Sequence, residues 1–325
     1  MKNCELKFSL EDVLQRLPPP LRRKVEHSVG LIRRAERLAL AYDPENGYYN
    51  TFSGGKDSQC LYHLVQIAGV KHKTHMALTS VDPPEVIRFV KTEYPDVELI
   101  KPRDSIFNIA VEKKILPTMR ARWCCAEYKE GQGAGKVTLI GIRHAESSRR
   151  ALRNEVEISG RKYSGTLEGL DEYREQRTRK SKGVNITNVD SERTLGCIHG
   201  KESLLISPII DWSDDDVWTF LSALGVKHCE LYDQGFTRIG CIGCPMSTLK
   251  HKQVENERWP HVKRNWLKAI KKIILRGGGK DETTAYRFHF NNHGFFINYK
   301  VILYIKAFLL SPRTVGFLLA PRLTA

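Results

Sequence analysis

The chain has 325 residues, 41% of them hydrophobic, and its 52 Lys and Arg outnumber its 37 Asp and Glu to give a formal net charge of +15. This length can bury a substantial core in one large domain or two, and the composition is typical of a soluble, basic globular protein. The positive charge favours a polyanionic partner such as nucleic acid, although a solvated lysine-rich surface explains it equally well.

The two ends of the chain and its cysteines indicate the cellular compartment in which the protein is expected. The polar start Met1–Glu5 lacks the apolar run of a secretory signal, and the apolar tail 295–325 is interrupted by charges before it reaches the roughly 20 residues of a membrane span. Eight cysteines in such a chain indicate metal ligands or thiol chemistry more than disulfides. We therefore expect a cytoplasmic protein without a membrane span.

A helical lead-in comes first, and a glycine loop follows it. Apolar residues at helical spacing predict helices over residues 10–42, broken at Pro18–Pro20. Tyr48–Phe52 then reads as a strand, and a helical pattern runs on from Cys60. Between them, Ser53–Ser58 supplies two glycines, two hydroxyls and a lysine at the start of a helix. This arrangement predicts a cradle for phosphate or sulfate.

The spacing of the loop Ser-Gly-Gly-Lys-Asp-Ser is too short for a Walker A motif. It resembles instead the PP-loop of the N-type ATP pyrophosphatases, which act at the α-phosphate of an adenine nucleotide. An ordinary strand-to-helix turn with a solvated Lys56 is the alternative.

Three further strands are predicted at Lys73–Leu78, Val97–Ile100 and Val137–Ile140, with helical patterns between them. This alternation predicts an α/β fold with a doubly wound, mostly parallel sheet. Asp82 and Arg143 follow two of these strands, where the cleft of such a sheet would lie. We expect Asp82 to contact ribose or a metal such as Mg²⁺, or else to cap a helix. Arg143 is expected to bind an anion or to pair with a nearby glutamate.

The second half of the chain is less regular. Residues 155–201 read as a charged loop or hairpin whose arginines contact a polyanion or are simply solvated. A strand from Leu204 and an acid-started helix from Asp214 follow, and Val254–Ile274 predicts one basic amphipathic helix. We divide the chain into a helical N-terminal segment (1–46), a nucleotide-binding domain (47–250) that contains the insert, and a basic, then apolar, C-terminal segment (251–325).

Four cysteines fall in two pairs, Cys124-Cys125 and Cys241-x-x-Cys244. Thiolate ligands select zinc or an iron–sulfur cluster. Adjacent cysteines diverge, which suits the separate iron corners of a 4Fe–4S cluster better than a single Zn²⁺, and reduced buried thiols are the remaining alternative. The other cysteines are interpreted as small buried residues, with Cys197 and Cys229 kept as reactive-thiol candidates.

Taken together, these motifs resemble the phosphoadenosine phosphosulfate (PAPS) reductase family, over about residues 47–246. The matching stretches are Ser53–Ser58, Arg122–Cys125 with Lys129, Gly141–Ser147, Ser207–Ile209 with Trp212, Asp216–Trp218, and Leu231–Pro245. The cysteine pairs look like those of the adenylylsulfate reductase branch, which implies a 4Fe–4S cluster. The family's reductases attack the sulfonucleotide with a cysteine in a Glu-Cys-Gly motif near the C-terminus, and here no cysteine follows Cys244.

Three readings of function remain open. The first is sulfonucleotide reduction, in which a thiolate attacks the sulfur of an adenylyl sulfate and a thiol or electron-donor protein completes the cycle. The second is an ATP-dependent adenylating sulfurtransferase that thiolates DNA or tRNA, and the third is a nucleotide-binding module without turnover. Lys56 and Arg143 are the predicted catalytic residues, Lys56 by stabilising the leaving anion. The oligomeric state is not specified. The residues expected to bind the nucleotide are Ser53, Gly54, Gly55, Lys56, Asp57, Ser58, Asp82, Arg143 and Arg238.

Overall fold

A computed structural model describes residues 8–159, 163–173 and 202–276, with side chains up to residue 273. These residues divide into two compact units, 8–105 with the described part of 124–242, and 106–123 with 243–276. Most of the predicted insert, the apolar tail, Cys4 and Cys197 lie outside the described residues.

A mixed sheet forms the centre of the first unit. Its described strands stand in the order β3-β2-β1-β4-β7-β5-β6. The first five in this order run parallel, whereas β5 and β6 form an antiparallel hairpin on β7, so the predicted mostly parallel sheet is confirmed. The hairpin uses the start of the predicted insert. The strands are β1 (Tyr48–Thr51), β2 (His72–Ala77), β3 (Glu98–Ile100), β4 (Val137–Leu139), β5 (Val156–Ile158), β6 (Tyr163–Gly165) and β7 (Leu204–Ile206).

Helices pack on this sheet and enclose the main apolar core. The helices of the first unit are α1 (Leu10–Gln15), α2 (Pro19–Tyr42), α3 (Lys56–Ala68), α4 (Pro84–Glu93), the described part of α6 (residues 167–173) and α7 (Asp214–Leu224). Side chains from α2, α3, α7, β1, β4 and β7 share one buried cluster. α7 begins where Ser213 and Asp216 cap each other's backbone amides and ends at Gly225, which has the left-handed φ of 63°.

The second unit is helical. It contains α5 (Ile106–Lys113), α8 (Leu249–Arg258) and α9 (Pro260–Arg276), and α9 packs on α5 with the Phe107 and Trp266 rings edge to face. The single helix expected over Val254–Ile274 is wrong. Pro260 disfavours a helical backbone at the residue before it, so Trp259 ends α8 with a φ of −120° and Pro260 begins α9.

The strand order reverses at β1. The chain passes from β1 through α3 to β2 on one side, whereas β4 occupies the other side. The carboxyl edge of the sheet at such a point is the usual place for a ligand in an open α/β sheet. None of the described helices combines the length and apolarity that crossing a bilayer requires.

Candidate functional site

The loop after β1 has the backbone that the glycine pair predicts. Gly54 has a φ of 72°, and a Cβ there would lie 2.7 Å from Cγ1 of Val86 and 3.0 Å from Cγ2 of Val90. Gly55 caps α3 with an extended backbone. Only glycine meets both demands at position 54, because the left-handed backbone and the contact with α4 each exclude a side chain.

Gly54→Ala is accordingly expected to lower the free energy of unfolding by about 2 kcal/mol, from the left-handed backbone and the contact with Val86. Urea unfolding measures this. Gly69→Ala is the matched control, because Gly69 has a φ of 68° and open space around its Cα. A loss at Gly54 no larger than the loss at Gly69 would contradict the close approach to α4.

The hydroxyls and amides of the loop form a cradle at the start of α3. Ser58 Oγ accepts the Ser53 amide at 3.1 Å and donates to the Gly55 carbonyl at 2.8 Å, which fixes the turn. Within the described residues, the amides of Gly55, Asp57 and Ser58 have no hydrogen-bond acceptor. Such donors at a helix N-terminus are the groups that bind anions.

Two cations and two carboxylates lie side by side behind the cradle. Lys56 Nζ is 2.9 Å from Asp214 Oδ1 and 3.2 Å from Asp57 Oδ1. Arg143 donates through Nε to Asp57 at 2.7 Å and through Nη2 to Asp214 at 2.6 Å. We call these four residues the charge quartet. Its formal charge is zero, so each cation that could hold a phosphate is already paired with a carboxylate.

Arg143 is placed by the strand before it and by a close backbone contact. It follows β4, and its guanidinium is 2% exposed, with Nη1 donating to the Trp212 carbonyl at 3.0 Å. A Cβ at Gly141 would lie 3.1 Å from the Asp57 carbonyl oxygen, so the absence of a side chain there lets the two loops meet. The alternative foreseen from the sequence, an ion pair between Arg143 and Glu146, is not formed among the described residues. The Glu146 carboxylate instead accepts the Arg143 backbone amide and pairs with Arg150.

The carboxylate of Asp214 is the most exposed member of the quartet, at 66%. Its hydrogen bond with Lys56 is the main cause that lowers the pKa of Asp214, with Arg143 adding to it, so this group stays charged at neutral pH and competes with an incoming anion.

Asp214→Asn is therefore expected to tighten pyrophosphate binding by about fivefold, since an exposed ion pair contributes up to about 1 kcal/mol. Isothermal titration calorimetry measures this, and Asp215→Asn is the control because Asp215 is exposed on the same turn. Equal affinities for wild type and Asp214→Asn would show that the carboxylate does not compete.

Tyr232 is a site residue that was not foreseen from the sequence. Its hydroxyl accepts the Lys56 amide at 2.8 Å, while its ring packs edge to face on Trp218. Burial raises the pKa of Tyr232, which therefore stays neutral. A ligand that takes the Lys56 amide must displace this hydroxyl. The sequence around Lys56 gives no indication of this contact, because Tyr232 is 176 residues away along the chain.

The other predicted nucleotide contacts are placed differently. Asp82 accepts the Thr79 amide at 2.6 Å and the Thr79 hydroxyl at 2.9 Å, so it organises the turn after β2. Arg238 is exposed, in the segment that leads to Cys241. Within the part of the chain that the structure describes, neither forms a hydrogen bond or ion pair with the charge quartet, and both remain predicted ligand contacts.

Three of the paired cysteines lie in the first unit. Cys124 and Cys125 end a short helical turn, which continues into a π-helical turn at Ala126–Glu130. Lys129, from that π-helical turn, has its Nζ 3.6 Å from Cys241 Sγ. The charge of Cys241 is the main cause that raises the pKa of Lys129, and Asp82 and Cys125 add to it. A lysine therefore stabilises negative charge on these sulfurs.

The sulfur atoms of the four paired cysteines are suitable ligands for a metal centre. Cys124, Cys125, Cys241 and Cys244 are not in disulfides and have intermediate exposure. Cysteine thiolates are the ligands that an iron–sulfur cluster or zinc takes. Among the residues with described positions, no three His, Cys, Asp or Glu side chains are grouped closely enough to hold a metal ion. The four-cysteine ligand set accordingly stays a prediction.

Cys244 belongs to the second unit, where a buried glutamate holds the turn before it. Glu255, 4% exposed, accepts the Gly243 amide at 3.0 Å and lies 3.2 Å from His251 Nε2. Gly243 has a φ of 73°. Burial raises the pKa of Glu255 above its ordinary value.

Glu255→Ala is expected to destabilise the protein by about 2 kcal/mol, because the Gly243 amide loses a buried acceptor. Glu255→Gln keeps an acceptor oxygen and should lose less than half as much. Because the folded-state pKa of Glu255 is raised, ionising this buried carboxyl destabilises the wild-type protein as the pH rises through that pKa, and Glu255→Gln, which cannot ionise, should not lose stability in this way. Chemical unfolding at two pH values measures the loss of stability in each variant and its dependence on pH. An equal loss of stability in Glu255→Ala and Glu255→Gln would contradict the hydrogen bond to the Gly243 amide.

The remaining described cysteines are buried. Cys60 and Cys229 are both 0% exposed, and burial raises the pKa of each thiol. Cys60 Sγ lies 3.6 Å from the Val217 carbonyl oxygen. Neither has the exposed, lowered-pKa character of a nucleophilic cysteine.

The family model for the phosphoadenosine phosphosulfate reductase domain matches residues 48–247, more than half of the chain. The chain belongs to this family. An uncharacterized protein of Methanocaldococcus jannaschii is 27% identical over 84% of this chain, which spans 61% of that relative's length. The adenosine 5'-phosphosulfate reductase of Streptomyces coelicolor is 26% identical over 62% of this chain and 78% of its own length.

One solved structure with a similar fold is the FMN adenylyltransferase of Candida glabrata in complex with FMN and an ATP analog. It is 15% identical, with a TM-score of 0.44 over 73% of this chain and 71% of that chain. At the level of the phosphoadenosine phosphosulfate reductase family, membership supports nucleotide binding and a role in sulfur metabolism.

Proposed function

We propose that this chain is an enzyme of sulfur metabolism that binds ATP on the loop Ser53–Ser58, adenylates an acceptor oxygen and exchanges that oxygen for sulfur. The observation that carries the proposal is the cradle at the start of α3, with amides that lack an acceptor within the described residues and with the charge quartet beside it. The match of the family supports the same placement of an adenine nucleotide.

The residues of the site have distinct parts in such a reaction. The amides of Gly55, Asp57 and Ser58 would bind phosphate oxygens. The acceptor oxygen attacks the α-phosphorus, the bond to the β-phosphate oxygen breaks, and pyrophosphate leaves with the electron pair, which Lys56 and Arg143 stabilise. A sulfide ion then attacks the activated atom of the acceptor. The new bond to sulfur forms as the bond to the AMP oxygen breaks, and AMP leaves with the electron pair.

A 4Fe–4S cluster, held in this proposal by Cys124, Cys125, Cys241 and Cys244, would supply a site for binding or delivering sulfur. Lys129 would balance the negative charge of these thiolates, since its ammonium group lies against Cys241. The content of iron and acid-labile sulfide tests this assignment independently of activity. Cys125→Ser should lose both, whereas the buried Cys229→Ser should keep both.

Sulfonucleotide reduction is the second candidate, and the adenosine 5'-phosphosulfate reductases among the curated relatives favour it. In that reaction a thiolate attacks the sulfur of adenylyl sulfate, the sulfur–oxygen bond to AMP breaks, and a second thiol releases sulfite and forms a disulfide. The two electrons come from a dithiol. The buried thiols of Cys60 and Cys229 are poorly suited to the first step, which is why we place this reaction second.

The two candidates release different products. Anaerobically purified protein is incubated either with labelled ATP and nucleic acid, or with adenylyl sulfate and a dithiol. Pyrophosphate formation that Lys56→Ala abolishes would support adenylation. Sulfite formation without pyrophosphate would establish reduction instead, and nucleotide binding without either product would indicate a binding module.

A further inference from the structure

The helix α9 carries a row of exposed basic side chains on one face. With a helical rotation of 100° per residue, the five positions of this row lie within an arc of about 100° around the helix axis. They are opposite the buried residues Val262, Ala269 and Ile270. We call this row the cationic stripe. Its members, all exposed, are His261, Arg264, Lys268, Lys271 and Lys272.

Charge is concentrated in the unit to which α9 belongs. Residues 106–123 and 243–276 contain thirteen Lys and Arg against three Glu, a net +10 of the chain's +15. The sequence of α9 itself, Pro260–Arg276, has no acidic residue. In the part of the chain that the structure describes, no carboxylate forms an ion pair with any member of the cationic stripe, so the charges of its arginine and three lysines are available to a partner.

We propose that the cationic stripe binds the phosphate backbone of a nucleic-acid duplex. From His261 to Lys272 the stripe is about 16 Å long at 1.5 Å per residue. The same length of duplex carries about nine negative charges, so each basic side chain of the stripe has a phosphate within reach.

Two other polyanions fit the stripe less well. Proteins that bind single strands stack bases on aromatic rings, and the stripe has no aromatic member: Trp259 is buried and Trp266 packs on Phe107. A membrane-surface helix buries an apolar face in lipid, whereas the apolar face of α9 is already covered by protein. Backbone contacts alone imply binding that depends on charge and shape and not on sequence.

The test compares two double charge reversals in the full chain. Lys268→Glu/Lys272→Glu removes two cations from the stripe, and Arg23→Glu/Lys91→Glu makes the same change of net charge at exposed residues of α2 and α4. Binding to labelled duplex DNA and duplex RNA of about 20 base pairs, long enough to cover the stripe, is followed by fluorescence anisotropy over a range of salt concentrations. Circular dichroism confirms that each variant is folded.

The stripe variant is expected to bind either duplex about tenfold more weakly near 0.1 M salt, and the slope of log affinity against log salt should fall by about 2, one unit for each lost phosphate contact. The α2/α4 variant should remain within about twofold of wild type. An equal loss in both variants would overturn the proposal, because net charge alone would then explain binding. So would binding to phosphatidylserine–phosphatidylcholine vesicles but not to a duplex, or no duplex binding by wild type.

The inference is separable from the proposed reaction. Lys56→Ala should keep duplex affinity while binding ATP about tenfold to hundredfold more weakly, and the stripe variant should keep nucleotide binding. A wild-type protein that binds ATP but no duplex would refute only the stripe, and one that binds a duplex but no nucleotide would refute only the proposed reaction.

Discussion

Replacing Arg143 by alanine is expected to lower the free energy of unfolding by about 3 kcal/mol and to abolish nucleotide binding. The guanidinium is 2% exposed and donates to Asp57, Asp214 and the Trp212 carbonyl. Removing one partner of a buried ion pair costs about 3 to 5 kcal/mol, because the other charge is left unpaired. We expect a loss at the lower end of this range, since the Asp214 side chain is 66% exposed and can be solvated. Urea unfolding and calorimetry measure the two effects.

A second substitution separates the charge of Arg143 from its geometry. Arg143→Lys keeps the positive charge but cannot reach three acceptors at once, so it should recover less than half of the lost stability. Arg153→Ala is the control, because Arg153 pairs with Glu157 nearer the surface. A loss of less than 1 kcal/mol for Arg143→Ala would mean that the quartet does not stabilise the first unit.

Sequence patterns were sufficient to predict the strands and the glycine turn that position the site. Tyr48–Phe52 and the glycine pair mark a strand and a turn, and the backbone at Gly54 has the left-handed φ that a glycine allows. The parallel direction of β2, β1 and β4 follows from alternating strand and helix patterns, because each crossover returns the next strand in the same direction. The position of β4 next to β1 is known only from the structure. This places Arg143 beside the loop although 86 residues separate it from Asp57.

The partners within the site could not be predicted in the same way. Asp214 reads in the sequence as an ordinary acidic residue in the first turn of α7, and that role is compatible with its bond to Lys56. Tyr232 falls in the family-matching stretch Leu231–Pro245, and nothing in that stretch marks it as a partner of the loop. Contacts of this kind depend on where α7 and the segment after it pack on α3. The spacing of residues along the chain does not predict that packing.

Lys56→Ala is expected to weaken ATP or pyrophosphate binding by about tenfold to hundredfold and to lower turnover by about a hundredfold or more. The ammonium group, 9% exposed, lies beside the cradle and supplies a charged hydrogen bond that water cannot replace in a buried site. The helix should still form, since alanine is a favourable residue in its first turn. Calorimetry measures the affinity, and release of pyrophosphate or sulfite measures turnover.

The control for this substitution is Lys91→Ala, at an exposed lysine of α4, which removes the same charge outside the loop. A combined Lys56→Ala/Asp214→Asn variant then tests why the lysine matters. If Lys56 acts only by neutralising Asp214, the double variant should bind pyrophosphate as tightly as Asp214→Asn alone does. If Lys56 contacts the phosphate directly, as we propose, the double variant should remain at least about tenfold weaker than Asp214→Asn alone. Wild-type affinity in Lys56→Ala itself would contradict a phosphate site at this loop.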